Sequence, residues 1–282
     1  MPLTSIIPSL HKARAGAYAV PQFEIFEPSG CEDVIRALEE KRAPAMLGVF
    51  SKWFDKPHSH ALHAAVRELG ARAGVPVSLI LDHGSSVEQC LRAIDAGYTD
   101  VMYDGSTLPF EENLEHTRRV VEAAHRAGVG VEAELGHVGS GADYQAYGAQ
   151  RKGFTDPAHA AQFASETGVD VLAIAIGNAH GAYAGDPLLD CALLEEIARR
   201  IPIPLSLHGG SGLPEQQFRQ AITRGIAKVN IATDLVRSIA EAMAGAAHTA
   251  QPSFFKMFDA LHDTMHAKCC HYLDLFGTSG RA

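Results

Sequence analysis

Eight short apolar runs alternate along the chain with stretches of helical pattern, and this alternation constrains the fold more than any other feature. The runs are rich in Val, Ile and Leu and nearly continuous, as expected for parallel strands buried on both faces. They span residues 18–25, 43–49, 76–83, 100–104, 128–136, 171–181, 204–212 and 226–234. The stretches between them carry apolar residues at i, i+3, i+4 and i+7, as at Val120, Ala123, Ala124 and Ala127.

Strand-helix units repeated eight times predict an α/β fold, the (β/α)8 or TIM barrel. A length of 282 residues also fits two average domains, but the eight units favour a single barrel domain over residues 1–282. Residues 4–15 are predicted to form an extra helix under the barrel, and residues from about 236 to 282 a C-terminal helical extension. An apolar stripe on that extension is expected to pack on the barrel or on a neighbouring subunit; it comprises Phe254, Phe255, Phe258, Leu261 and Met265.

Charge and composition exclude several classes of function. The formal charge is −9, from 24 Lys+Arg and 33 Asp+Glu, and no basic run offers a surface for nucleic acid. No apolar run approaches the roughly 20 residues of a membrane helix, and the N-terminus lacks the apolar core of a signal peptide. Five cysteines without CxxC pairs favour a reducing cytoplasm.

Polar residues stand where several of the predicted strands end, which is where barrel active sites are built. Three of them are histidines from different strands, His83, His180 and His208, each followed by glycine. A single strand-end histidine is usually structural, but three on one face predict a metal site. Neutral imidazoles suit Zn²⁺, and three protein ligands leave a position open for a substrate oxygen.

Carboxylates and glycines surround these histidines. Glu132 and Glu134, on the fifth run, can orient a ligand histidine or hold a second cation, and a purely structural role for Glu132 is equally open. The segments 209–212 (GGSG) and 230–233 (NIAT) end neighbouring strands, at the position where barrels often bind phosphate through backbone N–H groups and hydroxyls.

Two further segments have simpler interpretations. Residues 137–154 contain four glycines and no strand or helix pattern, and a loop of that length is predicted to be a lid over the catalytic face. His58-Ser59-His60 imitates a metal-binding HxH, but it follows the second strand and is interpreted as a solvated helix start.

Taken together and in order, the segments LDHG, VMYDGS-LPFEEN, VEAELG, IGNAHG-Y, LHGGSG and K-NIAT resemble those of the class II, zinc-dependent ketose-bisphosphate aldolases, the fructose- and tagatose-bisphosphate aldolase family. The resemblance covers essentially the whole chain. It implies a lyase of carbohydrate metabolism that reversibly cleaves a ketose 1,6-bisphosphate, or a related ketose 1-phosphate, to dihydroxyacetone phosphate and an aldehyde through a zinc-stabilised enediolate. It also implies a cytoplasmic homodimer or homotetramer.

The resemblance also implies roles for individual residues. His83, His180 and His208 would bind the catalytic zinc, and Asp82 would be the acid/base at the oxygen of the aldehyde half. Asp104 and Glu134 would hold a second cation such as Na⁺ or another divalent ion, and Glu132 would support a zinc ligand. The residues that would bind the substrate are Gly181, Gly209, Gly210, Ser211, Asn230, Ile231, Ala232, Thr233 and Glu24.

The chain departs from the family pattern around the aldehyde half. Where the family reads PAFN, this sequence reads Pro21-Gln22-Phe23-Glu24, and Phe50 stands where a Ser or Thr is frequent. Such changes should weaken binding of a second phosphate. The resulting hypothesis is that the donor remains dihydroxyacetone phosphate while the aldehyde half differs from glyceraldehyde 3-phosphate.

Other departures concern proton transfer and the phosphate of the donor. Ala142 stands where the family has the loop glutamate thought to exchange the donor-carbon proton, and Asp143 or Tyr144 is the candidate to replace it in this sequence. Ala184 replaces a frequent lysine. Where the family has a basic residue after the eighth strand, this chain has Val236, and Arg237 follows one place on.

Two other function classes remain open at this point. A sugar-phosphate isomerase or epimerase would use the same metal-stabilised enediolate, and a non-catalytic sugar-phosphate-binding paralogue would fit the loss at Ala142. Lys228 shares a strand face with Asn230, so alternation alone does not exclude it as a Schiff-base nucleophile.

Overall fold

Ten strands are present in the computed structural model of the chain, which describes residues 3–143, 153–249 and 251–282. Eight of them pair in parallel and form the barrel: β1 (Val20–Glu24), β2 (Ala45–Phe50), β3 (Val77–Gly84), β4 (Asp100–Tyr103), β5 (Gly130–Leu135), β7 (Val171–Ile174), β9 (Leu205–Leu207) and β10 (Ile226–Ile231). The order β1-β10-β9-β7-β5-β4-β3-β2 closes on itself. The remaining two, β6 (Gly139–Ser140) and β8 (Ala179–His180), form a separate two-stranded sheet.

Helices surround this barrel, and side-chain caps fix where several of them begin. Among the described residues they are α1 (Ile7–Gly16), α2 (Pro28–Lys41), α3 (Ser51–Phe54), α4 (Ser59–Arg72), α5 (Val87–Asp95), α6 (Phe110–Arg126), α7 (Pro157–Thr167), α8 (Cys191–Arg200), α9 (Glu215–Ile222), α10 (Thr233–Ala247) and α11 (Phe254–Leu275). Glu27, Ser86, Asp156 and Asp190 each accept backbone N–H groups of the following first turn. The predicted TIM barrel is therefore confirmed. None of these helices, within the described ranges, is long and apolar enough to cross a membrane.

The predicted N-terminal helix lies against the bottom of the barrel. Ile6, Leu10 and Ala13 pack on the inward residues of the strands, including Met46 and Met102. Arg14 reaches from α1 to the carbonyl oxygens that follow α8, with Nη2 2.6 Å from the oxygen of Ile201. The bottom of the barrel is thus closed by apolar side chains, which leaves the opposite face for a site.

Two of the predicted strands are longer than the strands in the structure. The run 171–181 leaves the barrel at Ile174, and the run 204–212 at Leu207. The cause is visible at Asn178, whose side chain accepts from the N–H of Ile176 and donates to the carbonyl of His208, at 2.8 and 3.1 Å. These side-chain bonds take the place of a strand ladder and turn the chain over the barrel mouth.

The long loop differs from expectation, and the C-terminal stripe is only partly buried. Gly139–Ser140 forms a short strand and residues 141–143 a 3₁₀ turn, although no strand or helix was predicted there; residues 144–152 lie outside the described residues. In the stripe, Met265 is buried, whereas Phe254 and Phe255 are exposed. Packing on this chain therefore accounts for only part of the stripe. His58 and His60 are exposed at the start of α4, as predicted.

Candidate active site

A cavity of about 580 Å³ opens at the carboxyl ends of the barrel strands. We call this the wide lobe; Phe26, Phe50 and His137 are among its lining residues. A narrow lobe of about 80 Å³ continues from it between the ends of β8, β9 and β10. The residues that line both lobes are Glu24, Asp82, His83, His180 and Ala232. They mark the junction of the two lobes, where two halves of a substrate would meet.

The three predicted histidines converge at this junction. The Nε2 atom of His83 lies 3.0 Å from the Nδ1 atom of His208. The Nε2 atom of His180 is buried and has no hydrogen-bond partner among the described residues. One nitrogen atom from each ring lies within 4.8 Å of the corresponding atoms of the other two rings. The three rings therefore form a set of ligand atoms suited to one metal ion.

The second nitrogen of each ring is held by an oxygen atom. His83 Nδ1 donates to Asp104 Oδ2 at 2.7 Å, His208 Nε2 to Glu132 Oε1 at 2.7 Å, and His180 Nδ1 to the carbonyl of Val138 at 3.3 Å. Partners of this kind fix the tautomer of a ligand histidine and turn its free nitrogen toward the ion. The donor set therefore fits a transition metal such as zinc.

Charge is distributed unevenly over the three rings. Burial lowers the pKa of His83, but the carboxylates Asp82, Asp104 and Glu134 outweigh it and raise the pKa to about 10. Burial and the charge of His83 lower the pKa of His180 to about 3. One proton is therefore held at the centre of the site, and a metal ion that binds there must displace it.

Glu132 and Lys228 form a buried ion pair behind His208. Lys228 Nζ lies 2.9 Å from Glu132 Oε2 and donates to Asn230 Oδ1. Burial raises the pKa of Glu132, but Lys228 and then His208 outweigh it and bring the pKa to about 2. Lys228 lines neither lobe. Its ammonium group is thus engaged with Glu132, which disfavours the Schiff-base alternative.

Asp104 and Glu134 lie on the other side of His83. Glu134 Oε2 is 4.0 Å from His83 Nδ1, and the three residues form a second set of possible metal ligands. Burial and the charge of Asp104 raise the pKa of Glu134 to about 8. The second cation stays a prediction; in this arrangement Asp104 already serves His83 as a hydrogen-bond acceptor.

Asp82 ends the inward face of β3 beside the histidines. Its Oδ1 accepts from Gln22 Nε2 at 2.8 Å and from Asn230 Nδ2 at 3.1 Å. Burial raises the pKa of Asp82, but His83, His208 and Lys228 outweigh it, so the net direction is downward. The carboxylate is therefore oriented by two amides and stands at the junction. Sequence reasoning missed Gln22, although strand alternation places it on the same face as Glu24.

The narrow lobe has the features of an anion site. It is lined by Gly181, Gly209, Ser211, Asn230 and Thr233. Gly209 has a φ of 66°, and a Cβ there would overlap the carbonyl of Ala179. Ser211 Oγ accepts from the N–H of Asp234 at 3.0 Å, in the first turn of α10. A helix N-terminus and backbone N–H groups thus border the lobe.

Two residues predicted for this site lie behind it. The side chain of Ile231 is fully buried in the core, because strand alternation turns it outward from the barrel. Gly210 packs toward Val229 and Phe218 and lines neither lobe. Only backbone atoms of these two residues remain available to a ligand.

Arg237 is a cation near the narrow lobe that the sequence patterns did not mark as a site residue. Arg237 lines an adjacent cavity of about 310 Å³ that shares Ser211 and Thr233 with the narrow lobe. Its guanidinium is 3.8 Å from Asp234 Oδ1 and is largely exposed. The family's basic residue aligns with Val236, and in this chain the positive charge is one place further on, at Arg237. It still lies beside the hydroxyls of Ser211 and Thr233, on the first turns of α10.

The loop that follows β5 contributes His137 and Val138 to the lining of the wide lobe. Ala142 and Asp143 are exposed, and neither lines a lobe. Tyr144 lies outside the described residues. A role for Asp143 or Tyr144 in donor-carbon proton exchange stays a prediction.

Comparison with known proteins agrees with this geometry. The family model described as class-II fructose-bisphosphate aldolase matches residues 4–281. The chain belongs to this family. A fructose-bisphosphate aldolase of Geobacillus stearothermophilus is 38% identical over 100% of this chain and 99% of its own. One from Staphylococcus epidermidis is 40% identical over 83% of this chain and 82% of its own.

Solved structures of aldolases have the same architecture. The crystal structure of the YdjI aldolase from Escherichia coli K12 superimposes with a TM-score of 0.88, at 30% identity, over 99% of both chains. The chain is thus an aldolase, and so a lyase, of a family that is generally metal-dependent and acts on phosphorylated sugars. The histidine triad of this aldolase is a possible place for such a metal.

Proposed function

We propose that this aldolase reversibly cleaves a ketose 1-phosphate, or a ketose 1,6-bisphosphate, to dihydroxyacetone phosphate and an aldehyde, with Zn²⁺ as its cofactor. The convergence of His83, His180 and His208 carries this proposal. In the described part of the chain the three facing nitrogens make no hydrogen bond to an oxygen, and Asp82 Oδ2 lies 3.8 Å from His83 Nε2, while each opposite nitrogen makes one such bond. When bound there, zinc supplies the Lewis-acid charge that stabilises the enediolate of the ketone half.

Asp82 is proposed as the acid/base. In cleavage its carboxylate accepts the proton of the hydroxyl that becomes the aldehyde oxygen, and in condensation it returns that proton. Gln22 and Asn230 hold the carboxylate, and its depressed pKa keeps it ionised and ready to accept a proton. Its place between the lobes sets it beside the bond that breaks.

The donor half is proposed to occupy the narrow lobe. Ser211, Thr233 and the first turn of α10 offer donors to its phosphate, and Arg237 lies beside them as a cation. The aldehyde half then extends into the wide lobe, between Phe26 and Phe50. Among the described residues no Lys or Arg lines that lobe, which supports an aldehyde other than glyceraldehyde 3-phosphate.

A triose-phosphate release screen tests the proposal. Zinc-loaded enzyme is incubated with phosphorylated ketoses and their sulfo-, deoxy- and uronate-like relatives, and dihydroxyacetone phosphate is measured. Release from at least one ketose 1-phosphate is expected. Isomerised product without triose phosphate would establish the isomerase or epimerase alternative, and neither activity in metal-loaded protein would favour a non-catalytic paralogue. Cleavage of fructose or tagatose 1,6-bisphosphate as efficiently as by ordinary family members would contradict the altered aldehyde half.

Three other features stay predictions. The homodimer or homotetramer rests on the family resemblance, the cytoplasmic location on that resemblance and on cysteine usage, and the single-domain boundary at 1–282 on the eight strand-helix units. Sedimentation of the purified chain checks the first. The exposed Phe254 and Phe255 on α11 are compatible with an interface between subunits.

A further inference from the structure

On β1, Glu24 stands at the junction of the lobes, and Gln22 binds it there without lining either lobe. Gln22 and Glu24 alternate with Phe23, so their side chains point into the barrel while Phe23 points into the core. Both are at least 97% buried, since Gln22 is 0% and Glu24 3% exposed. Glu24 lines both lobes, beside Asp82.

The amide of Gln22 joins two carboxyl groups. Its Nε2 atom donates to Glu24 Oε1 at 2.7 Å and to Asp82 Oδ1 at 2.8 Å. An amide nitrogen carries two protons, so it can serve both acceptors at once. The orientation of Asp82 is thereby linked to that of Glu24 through one side chain.

The neighbouring strand leaves room for this arrangement. Gly48 of β2 pairs with Glu24, and a Cβ at that position would overlap Glu24 Oε1 and come within 2.7 Å of Gln22 Nε2. The other oxygen, Glu24 Oε2, is buried and has no hydrogen-bond partner among the described residues. A buried carboxyl oxygen without a partner is costly, so we expect the carboxyl group to turn toward a ligand in the cavity that Glu24 lines and to gain the missing contact from it.

The chemistry around Glu24 favours a neutral partner. Burial, followed by the charge of Asp82, holds the pKa of Glu24 well above its usual range. A protonated carboxyl can exchange hydrogen bonds with a substrate hydroxyl, whereas a phosphate or carboxylate would meet Asp82 at the same place. Lys52 is exposed, with its Nζ 5.7 Å from the centroid of the Phe50 ring, and is not among the residues that line the wide lobe.

We propose that Gln22 is a positioning residue for Asp82 and that Glu24 determines specificity, by binding a hydroxyl of the aldehyde half through its free oxygen. The enzyme would then prefer ketose 1-phosphates whose aldehyde half is uncharged over the corresponding bisphosphates. This inference rests on the proposed function, because it needs the donor in the narrow lobe and the scissile bond at the junction.

Two assays separate this inference from the function beneath it. Solvent exchange of the carbon-bound proton of dihydroxyacetone phosphate involves the donor half, the metal and the group that accepts this proton, but not the aldehyde half. Release of that triose phosphate from a ketohexose 1-phosphate and from its 1,6-bisphosphate involves Asp82 and the aldehyde half as well. Wild-type protein is expected to catalyse the exchange and to have a kcat/KM at least about tenfold higher for the monophosphate.

The variants are Gln22→Ala, Glu24→Ala and the isosteric Glu24→Gln. Gln22→Ala should lower kcat about tenfold for both sugars with little change in KM, and should leave the exchange rate unaltered. Glu24→Ala should remove the preference for the monophosphate, and Glu24→Gln should restore most of it, since an amide can mimic a protonated carboxyl. Gln162→Ala is the matched control, because Gln162 binds Glu166 at 2.9 Å on the exposed face of α7.

The outcomes are distinct. Wild-type protein that neither exchanges the proton nor cleaves either sugar overturns the proposed function, and the inference with it. Wild-type protein that does both, with variants that behave like Gln162→Ala, overturns the inference alone, as does an equal or greater kcat/KM for the bisphosphate. Thermal unfolding checks each variant, and Gln22→Met, of similar volume, replaces Gln22→Ala if the latter does not fold.

Discussion

The Nε2 atom of His83 lies 3.0 Å from the Nδ1 atom of His208, although 125 positions separate the two residues in the chain. Each ring gives its other N–H to a carboxylate, Asp104 for His83 and Glu132 for His208. With those protons assigned, two lone pairs face each other, and only a shared proton or a cation makes that contact favourable. The pair therefore defines where a metal should bind.

Removal of one ligand should separate metal binding from catalysis. His208→Ala is expected to lose zinc and activity together, whereas Asp82→Ala should keep zinc and lose cleavage, because Asp82 transfers a proton and does not ligate the ion. Metal content after dialysis, measured by mass spectrometry, and triose-phosphate release check this. His60→Ala, at an exposed histidine, is the control. Cleavage that survives in Asp82→Ala would remove this residue from the mechanism.

Glu132 should influence the affinity for zinc without being a ligand of the ion. Glu132→Gln weakens the acceptor of His208 Nε2 and should lower zinc affinity about 10- to 100-fold. It also leaves the charge of Lys228 buried and unpaired, which is expected to cost about 3–5 kcal/mol of unfolding free energy. A competing chelator measures the first effect and urea unfolding of the apo protein the second. The exposed Glu122→Gln variant should change neither the zinc affinity nor the unfolding free energy. If Glu132→Gln has the same zinc affinity and stability as Glu122→Gln, the ion pair supports neither property.

Arg237 should contribute to binding of the donor phosphate. Arg237→Gln removes the cation beside Ser211 and Thr233, and KM for a phosphorylated ketose is expected to rise about tenfold, with a smaller change in kcat. Steady-state kinetics of triose-phosphate release provide the measurement. Arg219→Gln, an exposed arginine on α9, serves for comparison. An unaltered KM in Arg237→Gln would leave Ser211, Thr233 and the start of α10 as the phosphate site by themselves.

His63 should make the fold sensitive to acid. Burial, with the charges of His60 and Arg67, lowers its pKa to about 4, against about 6.5 in an unfolded chain. Between these values the unfolded chain binds the extra proton, so stability is lost as the pH falls from 6.5 toward 4. We expect a loss of about 1 kcal/mol at pH 5.

Urea unfolding at pH 7 and pH 5 measures this loss. In His63→Gln the stability difference between the two pH values should shrink by about that 1 kcal/mol. His58→Gln, at an exposed position in the same region, should behave like wild-type protein. A difference that is the same in all three proteins would show that His63 does not titrate between these pH values.

Sequence patterns located the barrel strands but overran two of them. The runs ending at 181 and 212 look continuous because Asn178 and the glycines lie among apolar residues, and periodicity alone cannot detect an amide that replaces a ladder. The same limit applies to Gln22. Alternation put it on the face of Glu24, but its double hydrogen bond depends on Asp82, 60 residues away.

The sequence by itself determined the (β/α)8 class, the strand-end histidines and Asp82, because strand and helix periodicities are local and parallel strands carry their ends to one face. Only the tertiary structure decided which ring nitrogens face each other, that Lys228 is engaged with Glu132, that Ile231 turns into the core, and that Arg237 stands beside Ser211. Those relationships depend on barrel closure and on side-chain packing between residues far apart in the chain, and no local pattern encodes them.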